Sequence, residues 1–559
     1  MHSRRAPHRL TALLAALSLA FLLPACGGDS DDDHQEPPAQ EETTPPDTTT
    51  PPVEEPVAEA GAWSTGDLHA HTLQSPDAHG LISLESLLDT GLERYGLDWI
   101  AVSNHLRVTS VDHTGAAIPG GPVNFAQAMI DYEVPFIEAA KASGKYAGKT
   151  IFSSVEWDMP AHEHVNLGIG VNNPHSEESL NAMLEFNYLF TKASSSDVTK
   201  FDPELVARLG PTRYNNTHED AIRAMEWVRD NHPDSYMLLN HPSRYTTNYT
   251  IADIREMHDT APTIMFAMEG MVGNQMEPDR GGYAEAYTEA NLPFRTYGGA
   301  DYLVAKLGGG WDALLGEGRR IWSVANSDYH FTLSQGLYSS GYAPGEYAKT
   351  YLWKDGDSMA DILEGLRSGR MFGVFGDLID ALDFQVGTGE AVAHMGQELK
   401  AAQGDEVEVT IRFRMPDTNN YEYPIGSSST RGMSAAVDHV DLIVGDVNER
   451  AEPGTPGYDA STNPTTKVLA RFDRNNWTMD DEGYYVIRHT MTAERNQYLR
   501  LRGTNLGVDV AGEMVDGEPL PDERITIPVT EHQARFDAIN MRNYSDLWFY
   551  SNPIFVSVQ

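Results

Sequence analysis

Imidazoles and carboxylates recur at five places between residues 67 and 330: His69 with His71, then His105, Glu156, His241, and Asp328 with His330. Imidazole nitrogen and carboxylate oxygen together suit Zn, Mn or Fe. Several such ions held close together turn water into a nucleophile at neutral pH. An H-x-H pair or a lone His-Pro turn is common, but the ordered set is far more specific and points to a multi-metal centre. Cysteine and serine nucleophiles are not needed, and their signs are missing. The only cysteine is Cys26, near the N-terminus, so no intramolecular disulfide and no cysteine-rich zinc site can form. The nucleophile-elbow pattern G-x-S-x-G is absent.

These residues need elements that bring them together. His69 and His71 follow Asp67-Leu68, and the other four places follow short apolar runs that read as buried strands: 99–102 before His105, 151–155 before Glu156, 236–239 before His241, and 321–325 before Asp328. A further strand is expected over 263–268. Between the strands lie helical patterns at 84–95, 124–143, 217–230 and 357–369, with Ser83 and Thr217 as N-cap candidates. Strands alternating with helices predict a parallel α/β sheet or barrel over 61–378. In such barrels the active site gathers at the C-terminal strand ends, where these residues fall. From 379 to 559 the texture changes. Runs such as 405–413 alternate with period two, and 440–444, 484–487, 498–501 and 547–558 are further short strands among Gly, Pro, Asn and Asp clusters. This second region predicts an antiparallel β-sandwich. No fixed-period repeat is present, which argues against a solenoid or propeller.

The N-terminus belongs to neither region. Arg4, Arg5 and Arg9 precede an uncharged apolar run over 11–23, and Leu23-Pro24-Ala25-Cys26 resembles a bacterial lipobox. Residues 1–25 are thus expected to be a lipoprotein signal peptide, with Cys26 the lipidated anchor. Gly27 and Gly28 resemble an outer-membrane sorting signal, so the protein is expected there, facing the periplasm or the cell surface. Residues 26–60 read as an extended acidic tether, with no Lys or Arg. The chain carries 82 acidic against 40 basic residues over 559, a formal net charge of -42. Such a surface excludes nucleic acid as partner. It also leaves the lipid on Cys26 as the only expected membrane contact.

At the level of motifs the chain resembles the PHP (polymerase and histidinol phosphatase) superfamily. Gly66-Asp67-Leu68-His69-Ala70-His71-Thr72 looks like its first motif. Ser103-Asn104-His105 is similar to its second, with Asn in place of the usual Asp. Val155-Glu156, His164-Val165-Asn166-Leu167-Gly168, Asn240-His241-Pro242 and Ser327-Asp328-Tyr329-His330 resemble those that follow. Leu366-Arg367-Ser368-Gly369-Arg370-Met371-Phe372 and Tyr550-Ser551-Asn552-Pro553-Ile554 resemble the CehA/McbA-type metallohydrolases, which add a C-terminal β domain. The resemblance implies a distorted seven-stranded (β/α) barrel holding two or three divalent ions (Zn, Mn or Fe). It implies a first subsite of His69, His71, Glu156 and Asp328, and a second of Glu156, His164 and His241. The third would use Asp77, His105 and His330. His79 rivals Asp77, and His162 rivals His164. Asn104 is expected to cost the third subsite a supporting carboxylate.

The activity implied is hydrolysis of a small-molecule ester by a hydroxide bridging two ions at Glu156, with Asp328 able to move a proton. A phosphoester is favoured because Arg107 and Arg244 lie beside ligand motifs, where each would either grip an anionic group or pair with acidic neighbours. Glu269 and Asn274 are expected to face the substrate. Two other readings stand beside this one. The same centre could hydrolyse a carbamate, ester or amide, or the chain could be a non-catalytic surface lipoprotein. His113, His175, His218, His232, His258, His394 and His439 read as structural or surface residues.

Overall fold

The computed structural model describes residues 61–78, 82–244, 249–283, 288–330, 340–389, 391–419, 435–528 and 530–559. The expected signal peptide, Cys26 and the acidic tether lie outside these residues, as does His79. Residues Ala60–Gln559 form one compact unit.

The apolar runs of the first region form strands, and the strands fall into two sheets. β1 (Ala62–Ala70), β2 (Trp99–Val102) and β3 (Thr150–Ser153) are parallel neighbours, with Gly66 opposite Trp99 and Trp99 opposite Thr150. The second sheet contains β4 (Val155–Asp158), β5 (His164–Gly168), β6 (Tyr236–Leu239), β7 (Met265–Met271) and β8 (Trp322–Ala325), in that spatial order. β6 to β8 run parallel, whereas β4/β5 and β5/β6 are antiparallel. The region is therefore mixed α/β, and its strand hydrogen bonds do not trace one closed parallel ring. The expected strand 151–155 is two strands. Ser154 donates both its amide and its hydroxyl to the Val102 carbonyl, at 2.8 and 3.1 Å, and the chain changes sheets there. Glu156 consequently lies inside a strand rather than after one. Single bridges, Ala70 with Tyr329 and His105 with Glu156, join the two sheets at one end.

Helices pack between the strands, and three of them start at a reciprocal polar cap. α1 (His218–Asn231) begins at Thr217, α2 (Ile251–Thr260) at Thr250 and α3 (Met359–Ser368) at Ser358. In each the cap hydroxyl and an Asp three residues on satisfy one another's backbone amides. Ser83 caps a helix that stays regular only over Leu84–Leu88 and continues as a wider turn to Arg94.

The texture change at 379 does not mark a break in the sheet. β1 also pairs antiparallel with β9 (Ala348–Lys354), and β9 with β10 (Met371–Phe375). β10 then pairs with Trp548–Ser551, which pairs with Gln497–Thr504, so one 11-stranded sheet runs from the first region into the second. A separate antiparallel five-stranded sheet contains Ala381–Thr388, Glu406–Arg414 and Tyr485–Thr492. The C-terminal part is thus β-rich, as expected. The predicted strand 547–558 is broken at Asn552-Pro553, where the Asn552 side chain accepts from Ser323 N and donates to Ser323 O. The helix His532–Ser545 has no counterpart in the sequence reading, because its apolar residues are sparse. Among the described residues no helix is long and apolar enough to cross a membrane.

Candidate metal centre

The strand ends deliver the expected residues to one buried point. Glu156 is at its middle. Its Oε1 lies 3.2 Å from His69 Nε2, 2.9 Å from His164 Nδ1 and 3.2 Å from His241 Nε2. Its Oε2 lies 3.3 Å from His71 Nε2 and 3.0 Å from His105 Nδ1. Asp328 Oδ1 is 3.1 Å from His69 Nε2, 3.3 Å from His71 Nε2 and 3.2 Å from His330 Nδ1. Asp77 stands at the outer edge, with Oδ2 3.0 Å from His105 Nε2 and Oδ1 3.7 Å from His330 Nε2. The donor atoms of His69, His71, Glu156 and Asp328 form one group close enough to share an ion, and those of Glu156, His164 and His241 form another. His162 is not in this cluster. His105 and His330 also group with His71 and Glu156, so the outer subsite overlaps the first.

The backbone is bent to make this approach. His241 and Asp328 have φ of 26° and 48°, in the left-handed region that non-glycine residues seldom adopt. The Asp328 loop lies so close to Gly273 that a Cβ there would sit 2.2 Å from the Asp328 Cβ. A ring of polar groups orients the ligands from behind. Glu269 accepts from the His241 amide at 2.9 Å and lies 2.7 Å from His69 Nδ1. Asn240 donates to Glu156 Oε1 at 2.9 Å. Asp67 accepts from the amides of His69 and Ser327. Glu269 is therefore buried behind the imidazoles of His69 and His241 instead of facing the open side, which differs from the expectation for it. Asn274 donates to Asp328 Oδ2.

Asn104 is also different from its expected effect. Its Oδ1 accepts from Thr72 N, Thr72 Oγ and Ser75 Oγ, at 2.8, 3.0 and 3.0 Å. Ser75 Oγ in turn lies 2.8 Å from His71 Nδ1 and accepts from His105 N at 3.0 Å. The acceptor role is intact. The amide nitrogen donates to buried Glu133 at 3.0 Å, a bond an Asp could not make while ionised. Asn is the residue that fits next to this second carboxylate.

Inside the cluster, acids and bases set one another's charge. Burial would raise Glu156, but His164, His69 and His105 outweigh it and hold the carboxyl well below its usual range. Burial would lower His69, but Asp328, Glu156 and Glu269 push it well up. Burial, followed by the neighbouring His71, lowers His330 to about 3. Acids and bases this crowded compete for a few protons. Meanwhile His71 Nε2, His105 Nδ1, Glu156 Oε2, His164 Nδ1 and Asp328 Oδ1 are buried and make no hydrogen bond. They face one another or Glu156 Oε1 at 2.9 to 3.3 Å, and a buried polar atom whose hydrogen bond is not made is costly. Lone pairs converging from imidazole and carboxylate are what a divalent cation requires, so the donor set fits the expected ions.

A cavity of about 430 Å³ opens onto the outer side of the cluster, lined by Asp77, His105, Arg107, Glu163, His164, Arg244, Asn274, Glu277, His330 and Ser340. Arg107 is engaged with acidic neighbours. Its guanidinium donates to both oxygens of Asp158 at 2.7 Å and to Asp77 at 2.9 Å. Of the two readings for Arg107, pairing with acids is the one observed. Arg244 lines the cavity wall with Glu277. Burial, then Asp279, raises the Glu277 carboxyl to about 7, against the opposing charge of Arg244. Asp158, which also lies 3.0 Å from His164 Nε2, escaped the sequence reading. Its signal was the two-residue spacing from Glu156 on one strand, which puts both side chains on the same face. Glu277 gives no such signal.

No family model matches the chain, and no curated protein matches it. Among solved structures, the crystal structure of PsfC from Pseudomonas syringae PB-5123 is similar to 54% of this chain and 88% of its own, at 14% identity and a TM-score of 0.29. That likeness is too slight to bear on fold or chemistry.

Proposed function

We propose that the chain is a metal-dependent hydrolase of the PHP kind, with the CehA/McbA-type pairing of a distorted seven-stranded barrel and a β domain, and that it cleaves a phosphoester of a small molecule. The observation that carries the reading is the single buried carboxylate of Glu156 within 3.3 Å of the imidazoles of His69, His71, His105, His164 and His241. The two bridges that link the sheets at the same end support the barrel. Two to three ions of Zn, Mn or Fe would be held by His69, His71, Glu156 and Asp328, by Glu156, His164 and His241, and by Asp77, His105 and His330. When bound, such ions supply Lewis acidity and bring the pKa of water from near 16 toward roughly 7.

The chain's own groups do the rest. Glu269 and Asn240 fix the faces that His69 and Glu156 present. Asn274 occupies Oδ2 of Asp328, so Asp328 serves through Oδ1 as a ligand. Glu277, with a pKa near neutrality, is the better group to hand a proton to a leaving oxygen. Arg244 meets an anionic oxygen of the substrate from the cavity wall. One observation favours the second reading, a carbamate, ester or amide: Asp77, Glu163 and Glu277 make the cavity acidic, and Arg107 is already paired. A neutral substrate meets less repulsion there.

The test compares aryl phosphates, aryl phosphodiesters and aryl carbamates on one metal-loaded preparation. Loss of a hydrogen bond to a charged group costs about 1.5–3 kcal/mol. Arg244→Ala should therefore lower kcat/KM on phosphoesters about tenfold to a hundredfold, at about 1.4 kcal/mol per decade. It should leave carbamates nearly unchanged. A large loss on carbamates with no phosphoester turnover would promote the second reading. Absence of bound metal after reconstitution would end the hydrolase reading.

A further inference from the structure

Away from the main cluster, three elements bring a second set of ligand atoms together. His162 lies in the turn between β4 and β5, His218 is the first residue of α1, and Asp253 lies in the first turn of α2. One donor atom from each falls within 4.8 Å of the other two. His162 Nε2 is 2.7 Å from His218 Nδ1, and His218 Nδ1 is 3.9 Å from Asp253 Oδ1. From the sequence, His218 reads as a structural or surface residue and His162 as a rival of His164.

The surroundings prepare these atoms. The His162 ring is buried and stacks on Tyr249, with centroids 5.3 Å apart and planes 6° from parallel. The Tyr249 hydroxyl donates to the His164 carbonyl, which holds the stack in place. Glu256 Oε2 lies 3.2 Å from His218 Nε2. A carboxylate there accepts a hydrogen bond from Nε2–H and leaves the Nδ1 lone pair facing His162, the arrangement that orients metal-binding histidines elsewhere. Asp253 uses Oδ2 for the Thr250 cap and turns Oδ1 toward His218. The N-termini of α1 and α2 disfavour a cation, and the Asp253 and Glu256 charges offset them.

We propose that His162, His218 and Asp253 form a separate site for one borderline divalent ion such as zinc, tying the turn before His164 to the starts of α1 and α2. With Zn–N near 2.0–2.1 Å, tetrahedral geometry sets the two nitrogens roughly 3.3 Å apart. The rings must open by about half an ångström from their hydrogen-bonded contact, and the quarter-exposed His218 side chain can swing to do so. Three protein ligands leave a position for water.

The experiment counts zinc in the full-length chain after dialysis against a weak chelator. A Glu156→Ala/His105→Ala variant, which takes a ligand from each of the three proposed groups of the main cluster, should keep one zinc per chain, and adding His218→Ala should remove it. Equal zinc in the two variants, or none in the first, overturns the site. Should the double variant not fold, cobalt titration of the wild type against Asp253→Asn decides instead. Asn still caps the helix, and one equivalent should bind at least roughly tenfold more weakly. An unchanged isotherm overturns the site. Equal zinc in wild type and a folded double variant would count against the main cluster alone, so the two readings fail separately.

Discussion

At the scale of single residues, the centre is a competition between charge and burial, and its variants divide by what each residue supports. Glu156 faces both main ligand groups, so Glu156→Gln should lower metal content by more than one ion and abolish turnover. His330→Ala, at the rim, should cost at most one ion. Metal analysis beside activity reads this, and wild-type metal content in Glu156→Gln would remove the bridge. Glu133 gives a prediction in pH. Burial raises its carboxyl to about 7 in the fold, against the hydrogen bonds of Ser153 and Asn104. The folded state therefore binds the proton more tightly than the unfolded chain. The resulting cost is absent below the unfolded pKa near 4.5, grows as pH rises, and is complete above about 7. Glu133→Gln should stabilise the protein at pH 8, by at most on the order of 3 kcal/mol for a shift of about two and a half units, and do nothing at pH 4. Melting curves across that range check it, and a pH-independent effect would exonerate the carboxylate.

At the scale of elements, the close approach of strands and helix ends sets the limits. α3 ends at Gly369, in the left-handed region with φ 75°. A Cβ there would sit 2.5 Å from the Trp322 ring on β8, the strand that leads to Asp328. Gly369→Ala thus combines backbone strain with a clash against a buried indole whose Nε1 donates to the Arg367 carbonyl. It should lower stability by about 1–3 kcal/mol, more than the usual effect of replacing a glycine in a relaxed turn. Denaturant unfolding measures this. A neutral result would mean that the α3–β8 contact is loose. The same element scale explains Glu156: the sheet change at Ser154 starts β4 one residue before it and points it, with Asp158, toward the imidazoles.

At the scale of the whole molecule, the β-rich C-terminal part completes the sheet on which the centre is built. β10 lies between β9 and Trp548–Ser551, and buried Arg280 on the metal-centre side donates to Asp522 and Asp546. The acidic surface keeps such a molecule soluble and repels other anions. Localisation rests on the N-terminal segment, outside the described residues. If Cys26 carries lipid, Cys26→Ser should move the protein from the membrane pellet to the soluble fraction. Continued pelleting would point to another anchor.

The sequence by itself determined the parts that depend on local pattern: the strand and helix runs, the caps at Ser83 and Thr217, the residues that converge, and the tether's composition. Periodicity and capping are read within a turn or a strand, so they survive without tertiary information. Only the tertiary structure decided which polar side chains converge on Glu156 and which stand behind them. Glu269 and Glu156 are both buried glutamates on strands, and the difference is which atoms face the centre. That Asp158 and Asp77 hold Arg107 was likewise hidden, because both lie at least 30 residues away in the chain. Asn104 became intelligible only with Glu133, 29 residues away, against its amide. The sheet that crosses residue 379 was invisible because pairing joins strands such as β10 and Trp548–Ser551, more than 170 residues apart, and no local pattern encodes a partner at that distance.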